Sequence, residues 1–125
     1  MDSIEFLNFA QKIISITPIS EIDYRQIISR SYYWAFHKLN EKSNSLGIPV
    51  NAYKGGTHAS LRQTLIELRP ANKQLKAIAY RLASFHQLRI IADYKLEDKV
   101  TEISAKESIE NCKKILDQLD LVTSL

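Results

Sequence analysis

An imidazole, a guanidinium and a carboxylate stand where one helical segment should carry core residues. At about 100° per residue, His86, Arg89 and Asp93 lie at about 20°, 320° and 0° from Leu75, on the apolar stripe of that segment. Burying such groups costs several kcal/mol unless they pair or face a wet cleft. Two arrangements meet this requirement. In the first, Arg89 pairs with Asp93 while His86 bonds a neighbouring helix. In the second, the three groups lie in a cleft at the end of the bundle or across a dimer seam, where Arg89 binds phosphate and His86 shuttles protons.

The segment from about Ser20 to Leu46 carries a second candidate pair. Arg30 and His37 lie within about 20° of each other, opposite the apolar stripe of this segment. Tyr33 and Trp34 flank that outer face. Either another helix covers the two rings, or they form a homodimer surface or a nucleic-acid surface on which aromatic rings stack against bases.

Apolar residues recur at three- and four-residue spacing between clustered Gly and Pro breaks, which predicts helices. The expected spans are about 3–15, 20–46, 57–69, 72–92 and 104–119, with a loop over 93–101. Ser20 and Thr57 are the expected N-caps of the second and third helices, and Ser104 opens the fifth through a capping box with Glu107. The predicted fold class is an all-α, up-and-down bundle of four to five antiparallel helices, with the second and fourth as its central pair.

Composition limits the function classes. With 125 residues, the chain is expected to form a single domain over 1–125, and a net charge of +3 permits an acidic partner such as RNA. The single cysteine, Cys112, allows no internal disulfide, and neither a metal site nor a cofactor is expected. Apolar runs are short and the N-terminus lacks the pattern of a signal peptide, so we expect a cytoplasmic protein without a membrane partner.

Three stretches together resemble a known family. They are SRSYYWAFH at 29–37, GTH at 56–58 and LRIIADY at 88–94. They resemble the small stand-alone HEPN proteins, in which a helix with an S-R-x-Y-Y-x-x-F/Y pattern precedes a helix ending in R-x-x-A-D-Y. The resemblance spans about 20–119 and implies a helical bundle, usually a homodimer, from prokaryotic toxin–antitoxin and antiviral defence systems. Many such proteins are RNases, and many are encoded beside a small nucleotidyltransferase.

Active HEPN nucleases carry an Arg and a His with four to six residues between them, and the resemblance implies an endoribonuclease that needs no metal. Arg holds the scissile phosphate and His helps to move the proton as the ribose 2′-hydroxyl attacks. Here Arg89 is followed by Asp93 and Tyr94 rather than by His, whereas Arg30 and His37 satisfy the bare spacing. The candidates for catalysis are Arg30, His37, His86 and Arg89, and those for structural or substrate-binding roles are Tyr32, Tyr33, Asp93 and Tyr94. His58, at the start of the third helix, is expected in solvent.

The departure at Asp93 leaves two functions open. In the first, the chain engages RNA and cleaves it through Arg and His. In the second, it is a non-catalytic HEPN adaptor that dimerises, in which Arg89, Asp93 and Tyr94 form a structural lock. The aromatic face of the second helix would then recruit a protein such as a nucleotidyltransferase.

Overall fold

A computed structural model describes residues 2–15, 20–50 and 55–123. Five α-helices occupy these ranges: α1 (Ile4–Ile14), α2 (Glu21–Ser45), α3 (Gly56–Ile66), α4 (Lys73–Tyr94) and α5 (Glu102–Asp120). No strand occurs in the described ranges, and the prediction of an all-α bundle is confirmed. Across the residues that the structure describes, no helix combines the length and the apolar content that crossing a membrane requires.

Helix α2 is the centre of the bundle, because it packs against α1, α4 and α5, while α3 packs against α4. Contacts of Ser29 with Asp93 and of Tyr33 with Arg89 show that α2 and α4 run antiparallel, as predicted. Helix α5 runs parallel to α2, since Ile27 packs beside the first turns of α5 and the Ser31 carbonyl accepts a bond from Cys112, further along. The prediction of antiparallel helices is therefore confirmed for α2 and α4 and is wrong for α2 and α5.

Local side-chain caps start three of the helices. The Ser20 backbone N–H donates to the Asp23 carboxylate at 3.0 Å, so the predicted start of α2 is confirmed. The Asn72 side chain accepts a bond from the backbone N–H of Leu75 at 3.0 Å and caps α4. Helix α5 begins earlier than predicted, because the Thr101 hydroxyl accepts from the backbone N–H of Ser104 at 3.3 Å.

Two predicted helix starts are wrong. Ser104 lies inside the first turn of α5 rather than at its cap, since Thr101 supplies the capping oxygen. Thr57 lies inside α3, which is preceded by Gly55 with a φ of 109°, a left-handed conformation that suits glycine. The loop after α4 begins at Lys95 rather than at the predicted Asp93, because α4 continues to Tyr94.

The core contains Trp34, which its rotation about the helix axis predicted to lie on the outer face of α2. Trp34 is fully buried, and Tyr33 is half-buried with its ring 6.1 Å from the ring of Phe6 in α1. Helices α1, α4 and α5 all pack on α2. The interpretation in which another helix covers the ring is therefore confirmed for Trp34, which is unavailable to a partner surface, whereas Tyr33 is covered only in part by α1.

A buried arginine fastens the end of α4 to α2. The Arg25 guanidinium donates to the backbone carbonyls of Ile91 and Ala92 at 3.1 Å each. It also donates to the carbonyl of Asp98 in the following loop and to the Glu21 carboxylate. Because the last carbonyls of a helix lack partners within the helix, this cation both caps α4 and complements its dipole.

Candidate functional site

Helices α2, α3 and α4 bring four polar side chains together, which we call the histidine cluster: Tyr32, His58, Arg62 and His86. The Tyr32 hydroxyl lies 2.6 Å from Nδ1 of His58. Arg62 Nη1 lies 3.1 Å from Nδ1 of His86. The two imidazole rings stack, with centroids 5.2 Å apart and an interplanar angle of 15°.

The sequence positions this cluster through helical spacing. His58 and Arg62 are one turn apart on α3, so their side chains share a face. Leu61 and Leu65 on the same helix are fully buried and fix its orientation against the bundle. Tyr32 lies on the core stripe of α2, and its ring centroid is 5.1 Å from that of His86, which extends the stripe of α4.

Hydrogen bonds determine which ring nitrogens carry protons. A guanidinium can only donate, so Nδ1 of His86 accepts from Arg62 and the proton of the neutral ring lies on Nε2. Burial raises the pKa of Tyr32, so its phenol keeps its proton. A buried hydroxyl needs an acceptor, and within the described ranges the acceptor for the Tyr32 hydroxyl is Nδ1 of His58. The proton of neutral His58 therefore also lies on Nε2.

Both imidazoles are held in their neutral form. Burial, then the positive charge of Arg62, lowers the pKa of His86 to about 4. Burial and the charges of Arg89 and Arg62 also lower the pKa of His58. At neutral pH the cluster is therefore a pair of uncharged N–H donors in a positive field.

Arg89 lies next to the cluster but is paired internally. Its Nε is 2.8 Å from the Asp93 carboxylate, and the two side chains are only 13% and 22% exposed. Nη2 donates to the Tyr33 hydroxyl, and the guanidinium carbon is 5.0 Å from the Tyr33 ring centroid. Burial opposes the charge of Arg89, but Tyr33 and Asp93 outweigh it and raise its pKa. The Ser29 hydroxyl completes the pairing of Asp93 at 3.2 Å. The predicted inward placement of His86, Arg89 and Asp93 is confirmed, and so is the Arg89–Asp93 ion pair.

Arg30 and His37 do not form a joint site. The guanidinium of Arg30 lies over the Phe9 ring at 5.7 Å, and the His37 ring stacks on Phe6 at 5.5 Å. Both side chains thus pack towards α1, and no hydrogen bond joins them within the described part of the chain. Of the four candidates for catalysis, the structure brings His86 and Arg89 towards one place. Tyr94 is 66% exposed and lies beside Arg89.

The sequence interpretation missed two members of the cluster. His58 was expected in solvent, which is wrong, because α3 packs on α4 and lays the His58 ring 4.1 Å from that of Phe36. Arg62 was not considered. The available signal was its spacing of four residues from His58, which places a cation and an imidazole on one face of a short helix.

Within 2–15, 20–50 and 55–123, no group of three or more His, Cys, Asp or Glu residues is arranged to hold a metal ion. Comparison of the chain with protein-family models, with curated proteins and with solved structures finds no match.

Proposed function

We propose that the chain is a HEPN-type protein that engages RNA at the histidine cluster. The observation that carries the proposal is the convergence of two neutral imidazoles and the Arg62 guanidinium at one half-exposed place. Such donors suit the phosphate oxygens of a nucleic acid, and the net charge of +3 suits a polyanion. From the HEPN resemblance we take the setting: a cytoplasmic homodimer in a toxin–antitoxin or antiviral defence system.

Endoribonuclease activity is the second candidate function, and the two adjacent imidazoles favour it. In this reaction O2′ bonds to phosphorus, the P–O5′ bond breaks, one base accepts the O2′ proton and one acid protonates O5′. The products are a 2′,3′-cyclic phosphate and a 5′-hydroxyl. In the structure, Nδ1 of each imidazole is engaged and Nε2 carries the proton, so an imidazole must change tautomer before it can act as a base. Binding requires no such change, which is why RNA engagement is the primary proposal.

A fluorescently labelled single-stranded RNA tests both functions in the presence of EDTA. We expect saturable binding by anisotropy that weakens about tenfold in His58→Ala and in His86→Ala, because each removes a donor to an anion. Gln87→Ala is the control, since Gln87 is an exposed polar residue of α4. Cleavage products ending in a cyclic phosphate, lost in the two cluster variants, would establish the nuclease. Binding that is equal in all four proteins would refute the proposed site.

The adaptor function is favoured by a different observation, the internal neutralisation of Arg89 by Asp93. A cation already paired with a carboxylate offers less to an incoming phosphate, as a structural lock requires. If the chain is an adaptor, it should co-purify with the product of a neighbouring gene, such as a nucleotidyltransferase, and should bind no RNA. Elution from a sizing column without that protein would contradict this function.

A further inference from the structure

Two arginines approach the histidine cluster, and they differ in what balances their charge. Arg89 has a carboxylate partner at 2.8 Å and a side chain that is 13% exposed. Arg62 is half-buried and forms no ion pair within the described ranges. Its charge acts instead on His58 and His86, whose pKa values it helps to lower. Arg62 is therefore the cation of this region whose charge is not compensated.

We infer that Arg62, with the ring N–H groups of His58 and His86, forms an oxyanion site that takes a phosphate group. Arg89, by contrast, fastens α4 to α2 and does not contact the ligand. Identifying that phosphate as part of RNA rests on the proposed function, whereas the site itself does not. The assignment differs from the HEPN resemblance, which gives the phosphate to the arginine near the end of the long helix.

The hydrogen bonds leave the required donors available. Arg62 Nη1 is used on His86, and the guanidinium also bonds to the Tyr32 side chain. A guanidinium has five N–H groups, so donors remain for an anion. Tyr32 and Arg62 occupy the two Nδ1 atoms, so each imidazole retains its Nε2–H as its remaining donor. The side chains of His58 and His86 are partly exposed.

Charge compensation provides a signature that distinguishes this site from mere surface attraction. A bound phosphate beside Arg62 cancels part of the field that disfavours the imidazolium forms. The pKa values of His58 and His86 should therefore rise together when the site fills. The titratable groups facing the two rings are Arg62 on α3, Arg89 on α4, and three side chains on α2, namely Tyr32, Tyr33 and His37. None of these groups supplies a negative charge at neutral pH.

The test is an NMR titration of the full chain with inorganic phosphate, observing the imidazole signals at constant ionic strength. We expect saturable shifts of His58 and His86 and a pKa increase for both rings. Arg62→Gln should weaken binding at least about tenfold, because it removes a charge-assisted hydrogen bond. Arg81→Gln removes the same charge elsewhere on the bundle and serves as the control. Arg62→Lys, which keeps the charge and loses the fork, should bind with intermediate strength and covers the case in which Arg62→Gln does not fold.

A second arm uses a 2′-O-methyl RNA oligonucleotide, which cannot be cleaved at its 2′ position. If phosphate and this RNA both shift the two rings in an Arg62-dependent way, the oxyanion site and its RNA source are supported. If phosphate alone does so, the oxyanion site is supported and the RNA proposal is refuted. If RNA binds but Arg62→Gln and Arg81→Gln behave alike, the proposed function is supported and the Arg62 assignment is overturned. Absence of any phosphate-dependent shift in the wild-type protein also overturns it.

Discussion

Lowering the pH from 7 to 5 should destabilise the folded protein through His86. Its pKa is about 4 in the fold, against 6.5 for an ordinary histidine, because of burial and the charge of Arg62. The unfolded chain therefore binds the proton first. The contribution of His86 to the free energy of unfolding is complete above about pH 6.5 and is lost as the pH falls from there towards 4. The pKa of His58 is lowered too, so His58 acts in the same direction.

The structure limits the size of this effect. For a fully buried group with these two pKa values, the free energy of unfolding would fall by about 2 kcal/mol between pH 7 and pH 5. His86 is partly exposed, and solvent screening reduces this to about 1 kcal/mol. In a domain of this size, that corresponds to a decrease of about 4 °C in Tm.

Urea unfolding at pH 7, 6 and 5 in a phosphate-free buffer measures the effect, and NMR gives the pKa of His86 directly. His86→Gln cannot titrate, so its stability should fall by about 1 kcal/mol less than that of the wild type over this range. Arg62→Gln should raise the pKa of His86, whereas Arg81→Gln, with the same change of charge, should not. A wild-type His86 that titrates at 6.5 or above would refute the reasoning, as would equal pH dependence of His86→Gln and the wild type.

Three further predictions concern other parts of the bundle. Arg25→Ala should lower the free energy of unfolding, measured in urea, by about 3 kcal/mol, because several hydrogen bonds to carbonyls are lost. The control Arg81→Ala, which loses one hydrogen bond to a glutamine at 3.3 Å, should lower it by less than about 1 kcal/mol. Similar losses in the two variants would contradict this account. Burial raises the pKa of Cys112 to about 12, so a thiol reagent at pH 8 should label it only in urea, and rapid labelling without urea would show that the site is open. Thr101→Ala should lower the free energy of unfolding by about 1 kcal/mol, because the α5 cap is lost. Thr123→Ala, outside the described helices, should be as stable as the wild type. Unchanged stability of Thr101→Ala would mean that the cap contributes nothing.

Features that belong to a single helix could be predicted from the sequence. The Arg89–Asp93 pair follows from a spacing of four residues, and the inward direction of His86 follows from rotation about the axis of α4. The start of α2 at Ser20 needs only a side chain and the first turn of the helix. Each of these depends on neighbours within a few residues, which periodicity describes directly.

Features that depend on which helix covers which face could not be predicted in this way. Trp34 points away from the main apolar stripe of α2 and is still buried, because two further helices enclose α2. Arg25 bonds to carbonyls 66 or more residues away, and no local pattern announces such partners. His58 and Arg62 become a site because α3 docks on α4, and a short helix with a weak apolar stripe does not reveal its docking direction.

The central position of α2 has a consequence for protein synthesis. The contacts that tie α2 to the last two helices join residues 66 and 81 positions apart, so α2 leaves the ribosome well before its partners exist. During that interval α1 and then α3 are the helices available to contact α2, and the side of α2 that will meet α4 and α5 stays exposed to solvent. A nascent chain stalled before α4 therefore exposes apolar surface to which chaperones bind, and the bundle can form only after α5 has been synthesised.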